Sequence, residues 1–333
     1  MLFMETIATI DDFNQIKILT DVRRLAILRL LMAGPFTLSQ LGQALGEHPA
    51  WVRHHLKKLE QAGLVELLDF QDSGGVLEKY YQACARALIL NKIILPASYK
   101  PGTLVFFGSH DLGLTLIAEE LRDNHNFELL MLPVGSLDGL IALRQGYAQL
   151  SGCHIYDPSS GEYNRPIVQH MFPEVETVLV TLAERTQGLM VAPGNPLHIS
   201  EVSDLTQDHV VLVNRNRGSG TRLWIDREIT KLGLNSNDVR GYDCHVRTHT
   251  DAAQMVQQGK ATVGIGLEAA AWQTGLGFIP LFKERYDLVL MSDHLENTKL
   301  HILLEFLQTQ AARTLLQQLI GYDTEHTGQI QRV

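Results

Sequence analysis

The feature that most constrains this chain is a change in its hydrophobic pattern across residues 96–102. This segment, PASYKPG, holds two prolines and a glycine without periodicity, which is typical of a short, stiff connector. Before it, apolar residues recur at helical spacing; after it, short apolar runs alternate with amphipathic helices. The sequence therefore predicts two domains, residues 1–95 and 103–333, with residues 96–102 as the linker.

The first domain is predicted to contain three helices followed by a β-hairpin. Gly34 and Pro35 end the first helix, whose apolar residues extend from Phe13 to Leu31. The second helix lies between the capping residue Thr37 and Gly46, and the third begins at Pro49. A strand, a turn and a second strand are predicted at residues 64–70, 72–75 and 76–82.

The third helix carries a basic side away from its apolar residues. Helical spacing places together Trp51, Arg53, His54, Lys57 and Lys58. His55 lies beside them. Donors for base edges and cations for phosphates on one exposed side are what a helix in the major groove needs. A solvated face on a structural bundle would look the same, but helix, turn, helix and hairpin is the winged-helix order, so we interpret this face as a reader of double-stranded DNA.

Residues 12–95 resemble the arsenic-repressor-type winged-helix family of transcriptional regulators. The segment most specific to this family is HHLKKLEQAGLV (54–65). The segment LTDVRRLAILRLL (19–31) precedes it and VLEKYYQA (76–83) follows it. The resemblance implies DNA binding and a homodimer, for which the long apolar set of the first helix is the expected contact. Metal sensors of this family carry cysteine thiolates on the second helix; residues 38–46 contain none, so no metal site is predicted.

The charge balance does not oppose DNA binding. The formal net charge is −9, but residues 1–98 hold ten basic and ten acidic residues, so the acidic excess lies in the rest of the chain. Because phosphate neutralisation is local, a neutral module with one basic face can bind DNA. Residues 1–13 lack Lys and Arg, and no apolar run could span a bilayer. These features predict a cytoplasmic protein that does not associate with a membrane.

Loops rich in glycine, serine and threonine follow the predicted strands of the second domain. They occupy residues 108–111, 135–139 and 214–222. In open α/β sheets, ligands bind at the carboxyl ends of strands, where helix N-termini present free N–H groups. Short Gly-Ser loops are often helix caps alone, but NRNRGSGTR (214–222) combines three arginines with four small or hydroxylic residues. The pattern predicts an α/β domain that binds a small anion.

Residues 103–320 resemble the cytoplasmic, periplasmic-binding-protein-like domains related to molybdate-binding proteins. The resemblance is carried by VGSLDGLIALRQGYAQLSGCHIYDPSSGEYN (134–164), VNRNRGSGTR (213–222) and THTDAAQMVQQGKATVGIGLEAAA (248–271). It implies a two-lobed α/β fold of the type II class, with the second lobe at about residues 193–277. The chain crossings between the lobes are expected near Val191-Ala192 and near Phe278-Ile279.

This resemblance also implies the residues of a ligand cleft. Ser109 and Ser136 are expected as hydroxyl donors of the first lobe. The second-lobe cradle would consist of Gly218, Ser219, Gly220 and Thr221, with a guanidinium from Arg217 or Arg222. Arg185 is expected beside the first crossing. Weaker candidates are Gln187, His154, Tyr163, His249 and Glu268. The resemblance suggests molybdate or tungstate as the anion, although phosphate esters and small carboxylates suit the same donors.

No catalytic motif accompanies these loops. The chain has no GxSxG and no HExxH sequence, and GSGTR ends in Arg222 where a phosphate-binding loop needs lysine. No cofactor and no enzymatic activity are therefore predicted. The sequence favours a ligand-responsive transcriptional regulator. The alternative is a cytoplasmic solute-binding sensor for a small organic anion or a phosphate ester.

Overall fold

The computed structural model describes residues 5–10, 12–73, 76–90, 94 and 102–333. It separates into two compact units, Met1–Ile94 and Leu95–Val333, called unit 1 and unit 2 below. Most of the predicted linker, residues 96–101, lies outside the described residues. No helix in the described part of the chain is both long and apolar enough to cross a membrane.

Unit 1 consists of helices and two pairs of strands. Its elements are β1 (Glu5–Ile10), α1 (Phe13–Leu19), α2 (Val22–Ala33), α3 (Leu38–Leu45), α4 (Pro49–Gln61), β2 (Val65–Ser73), β3 (Val76–Ala83) and β4 (Ala85–Leu90). Strands β2 and β3 pair antiparallel and form the predicted hairpin, while β1 and β4 pair in parallel. Gly74 and Gly75 of the predicted turn lie outside the described residues.

The predicted first helix is in fact two helices. Helix α1 ends at Leu19, and the Asp21 side chain starts α2 by accepting a hydrogen bond from the Arg23 N–H at 2.9 Å. Aspartate stabilises a helix start better than a helix interior, because its carboxylate satisfies first-turn N–H groups. Helix α1 has no buried residue, whereas Ile27 and Leu31 of α2 are fully buried. The prediction of one continuous helix was wrong because it relied on the helical spacing of the apolar residues and did not treat Asp21 as the start of a second helix.

Helices α3 and α4 form the helix-turn-helix. Thr37 and Gln40 cap α3 reciprocally, each backbone N–H donating to the other's side-chain oxygen. Gly46 ends α3 with a φ of +70°, a left-handed conformation that favours glycine. Pro49 begins α4 as predicted. The core-facing residues of α4 include Val52, Leu56 and Leu59. The opposite side of α4 is left to solvent.

Unit 2 is an α/β unit built on one mixed sheet. Its strands are β5 (Leu104–Gly108), β6 (Leu129–Pro133), β7 (Leu150–Cys153), β8 (Thr177–Val191), β9 (Leu212–Arg215), β10 (His245–Val246), β11 (Val263–Leu267), β12 (Gly277–Met291), β13 (Tyr322–Asp323) and β14 (Ile330–Arg332). Its helices are α5 (Leu112–His125), α6 (Ser136–Arg144), α7 (Arg165–Met171), α8 (Gly220–Lys231), α9 (His249–Gln257), α10 (Glu268–Gln273), α11 (Thr298–Leu307) and α12 (Gln310–Leu316). The strand order is β10-β9-β11-β8-β12-β7-β5-β6, and β13 and β14 also pair with β8.

Two long strands join the lobes of unit 2. Strands β8 and β12 are 15 residues each and pair antiparallel over their length. The first lobe contains β5, β6 and β7, and β7 pairs with the last part of β12. The second lobe contains β9, β10 and β11, and β11 pairs with the last part of β8. The two lobes therefore share one sheet.

The chain crosses between lobes inside these strands, near residues 184–187 of β8 and 282–286 of β12. On the first-lobe side of these positions, β12 pairs with β7 from Asp287 to Val289. On the second-lobe side, β8 pairs with β11 from Gln187 to Val191. The crossings expected near Val191-Ala192 and Phe278-Ile279 lie several residues away, because neither strand breaks there. Buried strands usually have continuous apolar sequences. The sequence signal for the lobe boundary is therefore limited to the polar residues within β8 and β12.

Candidate functional site

The candidate ligand site lies between the lobes of unit 2, where several strands end and helices begin. Helices α5, α6, α8 and α9 all start at this cleft. The first turn of each helix has N–H groups without intrahelical partners, which favour a negative charge. The lobes touch here: the Asn216 Nδ2–H donates to the Val134 carbonyl at 2.7 Å, and the Leu137 N–H donates to the Gly218 carbonyl at 3.1 Å.

Two glycines allow this close approach. A Cβ at Gly220 would lie 2.6 Å from Nδ1 of His154, which belongs to the opposite lobe. A Cβ at Gly135 would lie 2.9 Å from Nδ2 of Asn216, and Gly135 also has a φ of +104°. Any larger residue at either position would separate the lobes, so both glycines fit a cleft that closes tightly.

A buried ion network forms the floor of the cleft. The Arg185 Nη1–H donates to Asp111 Oδ2 at 2.6 Å, and its Nη2–H donates to Glu284. The Arg185 guanidinium also lies 4.2 Å from the ring centroid of Tyr286, and the Tyr322 hydroxyl donates to Asp111 at 2.6 Å. Although burial disfavours its charged form, Glu284 and Asp111 raise the pKa of Arg185. Arg185 therefore holds the strand crossings together, and both its Nη groups are already paired.

His154 connects this network to Ser109. Its Nδ1 lies 2.6 Å from Glu284 Oε2, and its Nε2 lies 2.7 Å from Ser109 Oγ. All three side chains are buried. Burial lowers the pKa of His154, although Glu284 opposes the shift. Burial would raise the pKa of Glu284, but Arg185 and His154 lower it to about 2. At neutral pH the pair is therefore a carboxylate beside a neutral imidazole.

Arg215 lies within NRNRGSGTR but was not among the predicted ligand residues. It is fully buried, and its Nη2–H donates to the Arg247 carbonyl at 2.7 Å. In the part of the chain that the structure describes, its Nε and Nη1 have no hydrogen-bond partner. Burial and the neighbouring Arg185 lower the pKa of Arg215 to about 9, so it stays charged at neutral pH. A buried guanidinium with two free donors is a strong anion-binding group.

Two histidines face each other across the cleft near Arg215. The ring centroids of His110, in the first lobe, and His249, at the start of α9, lie 6.2 Å apart. Among the described residues, neither nitrogen of His249 has a hydrogen-bond partner, nor does Nδ1 of His110. Burial, reinforced by Arg215, lowers the pKa of His110 to about 4 and that of His249 well below its usual value. Both rings are therefore neutral at neutral pH, and each can donate one N–H to a ligand.

The structure places the predicted first-lobe residues at the cleft. Ser109 and Ser136 are fully buried there, and the Ser136 hydroxyl accepts a hydrogen bond from the His154 N–H at 3.3 Å. Gln187 lies on the second-lobe side of the crossing, where its Oε1 accepts from the Thr221 hydroxyl at 3.0 Å. Thr221 is thus already used as a donor within the protein.

The predicted second-lobe cradle is only partly directed at the cleft. The Ser219 hydroxyl donates to the Asn216 carbonyl at 2.9 Å and accepts from the Arg222 N–H, so it caps α8. The Arg217 side chain is 82% exposed and pairs with Asp243. The Arg222 Nε–H donates to Asp226 at 2.7 Å. Contrary to expectation, neither Arg217 nor Arg222 supplies the free guanidinium, because one points to solvent and the other already has a carboxylate partner.

The remaining weaker candidates lie at the edges of the cleft. The Tyr163 hydroxyl donates to the Lys283 carbonyl at 3.0 Å, beside a cavity of about 200 Å³ that also reaches His154 and Glu284. Glu268 begins α10 and lies against Gly321. No three histidine, cysteine, aspartate or glutamate side chains converge as a metal site within the described ranges.

The predicted DNA-reading side of α4 is exposed in unit 1. Arg53, His54 and Lys57 are exposed, and Trp51 and Lys58 are half-buried. His55, expected beside them, is instead buried in unit 1, where its ring lies tilted against that of Trp51 at 4.5 Å between centroids. Burial lowers the pKa of His55, so it is a neutral core residue. Of the predicted reading residues, Arg53, His54 and Lys57 are therefore the most exposed.

Comparison with known proteins identifies both units. Residues 118–308 match the PBP superfamily domain, and residues 21–66 match the arsR family of bacterial regulatory proteins. The uncharacterized protein YvgK of Bacillus subtilis (strain 168) is 33% identical over 226 residues, which cover 68% of this chain and 73% of that protein. The chain therefore belongs to the PBP superfamily and carries an ArsR-family helix-turn-helix domain at its N-terminus. The predicted families and fold class are confirmed.

Solved structures with a similar unit 2 include two transport proteins. A tungstate ABC transporter structure from Geobacter sulfurreducens matches 66% of this chain and 100% of its own chain, with a TM-score of 0.49 and 9% identity. An ABC-type phosphate transport receptor from Vibrio cholerae matches 66% of this chain and 99% of its own, with a TM-score of 0.43 and 19% identity.

Proposed function

We propose that this chain is a ligand-responsive transcriptional regulator that senses a small anion in the cleft of unit 2. The observation that carries this proposal is Arg215, a fully buried guanidinium whose Nε and Nη1 find no partner within the described ranges. An isolated buried charge is costly unless a counter-charge compensates it. The neutral rings of His110 and His249 add N–H donors near Arg215. They carry no negative charge that would compete with an anion for Arg215. A bound anion would supply the missing compensation.

The donor set defines a class of ligand. Guanidinium, imidazole and hydroxyl groups suit a tetrahedral oxyanion, and molybdate and tungstate are the ones that the family resemblance suggests. Phosphate, phosphate esters and small carboxylates satisfy the same groups. We therefore propose a small oxyanion or carboxylate, with the buried Arg215, His249 and Ser136 and the half-buried His110 as its binding site.

The chain of hydrogen bonds from Ser109 through His154 to Glu284 also resembles a catalytic arrangement. The order Ser109, His154, Glu284 is that of a nucleophile, a base and an orienting acid in hydrolases. However, the second-lobe Gly220 packs directly on His154, which would have to act as the base. The hydrogen-bond donors of Arg215 and His249 that have no partner among the described residues suit a bound anion instead. We therefore assign the three residues to ligand recognition, with no catalytic step.

Unit 1 is proposed to bind double-stranded DNA through α4. Arg53 has the exposure and the fork of donors that guanine recognition in the major groove requires. Lys57, one turn further on, is a point charge suited to a phosphate. Trp51, His54 and Lys58 flank them. A regulator of this kind acts in the cytoplasm, where its DNA is.

A homodimer is proposed for the DNA-bound protein. Unit 1 exposes large apolar side chains on its first helices: Phe13 is 54% exposed and Val22 is 76% exposed. Leu25, on the same helix as Val22, is also exposed. A second copy of unit 1 would cover such a patch, and two-fold symmetric dimers match two-fold symmetric operators.

Alanine substitution distinguishes the roles of Arg53 and Lys57. Arg53→Ala should weaken specific binding by about 1–3 kcal/mol and relax preference at one base position, because a base contact is lost. Lys57→Ala should lower affinity for all sequences alike and reduce the slope of affinity against salt by about one phosphate contact. Fluorescence anisotropy with a selected operator and with random DNA, at several salt concentrations, measures both effects.

Arg86→Ala is the matched control, since Arg86 is also basic and exposed but lies on β4. It should leave operator affinity unchanged. The assignment of α4 fails if Arg53→Ala and Lys57→Ala bind both DNAs as the parent protein does.

A further inference from the structure

The hydrogen-bond chain from Glu284 to Ser109 fixes the direction in which the Ser109 hydroxyl points. The carboxylate of Glu284 can only accept, so the proton between it and His154 must sit on Nδ1. A neutral imidazole carries one N–H, and its Nε2 is then a lone pair. Since Nε2 lies 2.7 Å from Ser109 Oγ, the hydroxyl proton of Ser109 must point at His154.

The consequence is that Ser109 cannot donate to a ligand. Its only hydroxyl proton is committed to His154, so it presents lone pairs to the cleft. The Ser109 carbonyl is also occupied, because it accepts from the Tyr286 hydroxyl at 2.6 Å. The family resemblance led us to expect Ser109 as a hydroxyl donor. The geometry makes it an acceptor.

The other groups of the cleft are hydrogen-bond donors, so they require acceptor atoms from a ligand, whereas Ser109 requires a donor. Arg215 offers two free donors, and His110 and His249 each offer an N–H. A ligand that satisfies both sides must bear negative charge toward Arg215 and a proton donor toward Ser109. An oxygen lone pair placed against the Ser109 lone pairs would be repelled and left without a partner.

We propose that the cleft selects anions that carry their own O–H group and that Ser109 accepts the hydrogen bond from this group. This inference rests on the proposed anion site. Hydrogen phosphate and small hydroxycarboxylates share this chemistry. Fully deprotonated molybdate, tungstate and sulfate lack it, although they match hydrogen phosphate in charge and shape. Glu284 and His154 are positioning residues, since they act on the ligand only by turning the Ser109 hydroxyl.

Isothermal titration calorimetry on the full chain tests the selection. At mildly alkaline pH, inorganic phosphate keeps one proton while sulfate and molybdate keep none, so all three are dianions. Lactate and propionate form a second pair, differing in the hydroxyl. We expect the hydroxyl-bearing member of at least one set to bind about tenfold or more tightly than its partners. The set that shows the preference identifies whether the O–H group belongs to a hydrogen phosphate or to a hydroxycarboxylate.

Ser109→Ala assigns the preference to this residue. Removing the acceptor should reduce the preference to less than about threefold, with thermal melting as the check on folding. Ser151→Ala is the matched control, because Ser151 is an equally buried serine of the same lobe on β7 and has no proposed ligand contact. It should keep the preference of the parent protein.

The outcomes separate the two proposals. Sulfate or molybdate binding as tightly as phosphate, with no preference for lactate, would overturn the selection while leaving the anion site in place. A preference that survives in Ser109→Ala would overturn the role of Ser109. Failure of all five probes to bind would overturn the anion site itself. The preference in the parent protein needs no variant, so it is decisive even if Ser109→Ala does not fold.

Discussion

Replacing Arg215 with methionine is expected to stabilise the ligand-free protein and to abolish anion binding. Methionine fills a similar volume and removes a buried charge whose Nε and Nη1 have no partner in the described part of the chain. Replacing buried charges with apolar groups is often stabilising, by about 1–4 kcal/mol. Removing the charged partner of a buried anion costs about 2–5 kcal/mol of binding free energy. Opposite changes in stability and binding are what a functional, uncompensated cation predicts.

Urea unfolding and calorimetry measure the two changes on the same preparations. Arg222→Met is the control: Arg222 is also buried, but its Nε–H is hydrogen-bonded to Asp226. That variant should lose stability and retain anion binding. A loss of stability in Arg215→Met, with binding intact, would show that Arg215 is a structural residue and would move the anion site elsewhere.

Replacing Arg185 with methionine should have the largest effect on stability. The variant would leave Asp111 and Glu284 buried without their shared cation. Removing one partner of a buried ion pair destabilises by about 3–5 kcal/mol. Because Arg185 pairs with two carboxylates, we expect the upper part of that range, measured as the difference in unfolding free energy at neutral pH.

The effect of Arg185→Met should also depend on pH in a defined direction. In the parent protein the pKa of Glu284 is lowered to about 2 from its usual 4.5. A depressed carboxylate pKa contributes stability that is fully present above about pH 4.5 and is lost as the pH falls toward 2. Without Arg185 the pKa of Glu284 rises, so the stability gap between parent and variant should narrow below pH 4.5. A gap that stays constant down to pH 3 would contradict the charge network.

Much of the fold could be predicted because local signals agreed with it. The Thr37 and Gly46 caps, the start of α4 at Pro49 and the hairpin after it are all set by short-range chemistry. The alternation of apolar strands and helices beyond residue 103 likewise fixed an α/β unit. The first helix was mispredicted because the Asp21 cap competes with apolar spacing, and spacing alone does not show which signal wins.

The candidate site was harder to predict, because its residues come together only in the folded unit. Arg215 was read as part of a loop, but β9 extends to it, and the strand buries its side chain. Glu284 lies in β12 within the segment KERYD, and nothing in the sequence brings it to His154, 130 positions away. Because Lys283, Arg285 and Asp287 are charged as well, the sequence does not show which of these side chains reaches the cleft. Which arginine of NRNRGSGTR is free depends on tertiary contacts alone.

We propose that an anion in the cleft of unit 2 changes the affinity of unit 1 for DNA. A ligand can do so only if its affinity differs between the DNA-binding and the non-binding state, and the coupling is then reciprocal. The direct measurement is the affinity of the full chain for an operator selected from random DNA, with and without a saturating concentration of the tightest-binding anion. We expect a change of about 5–150-fold, or about 1–3 kcal/mol, in the parent protein and none in Arg215→Met. Equal operator affinity with and without a bound anion in the parent protein would contradict the account.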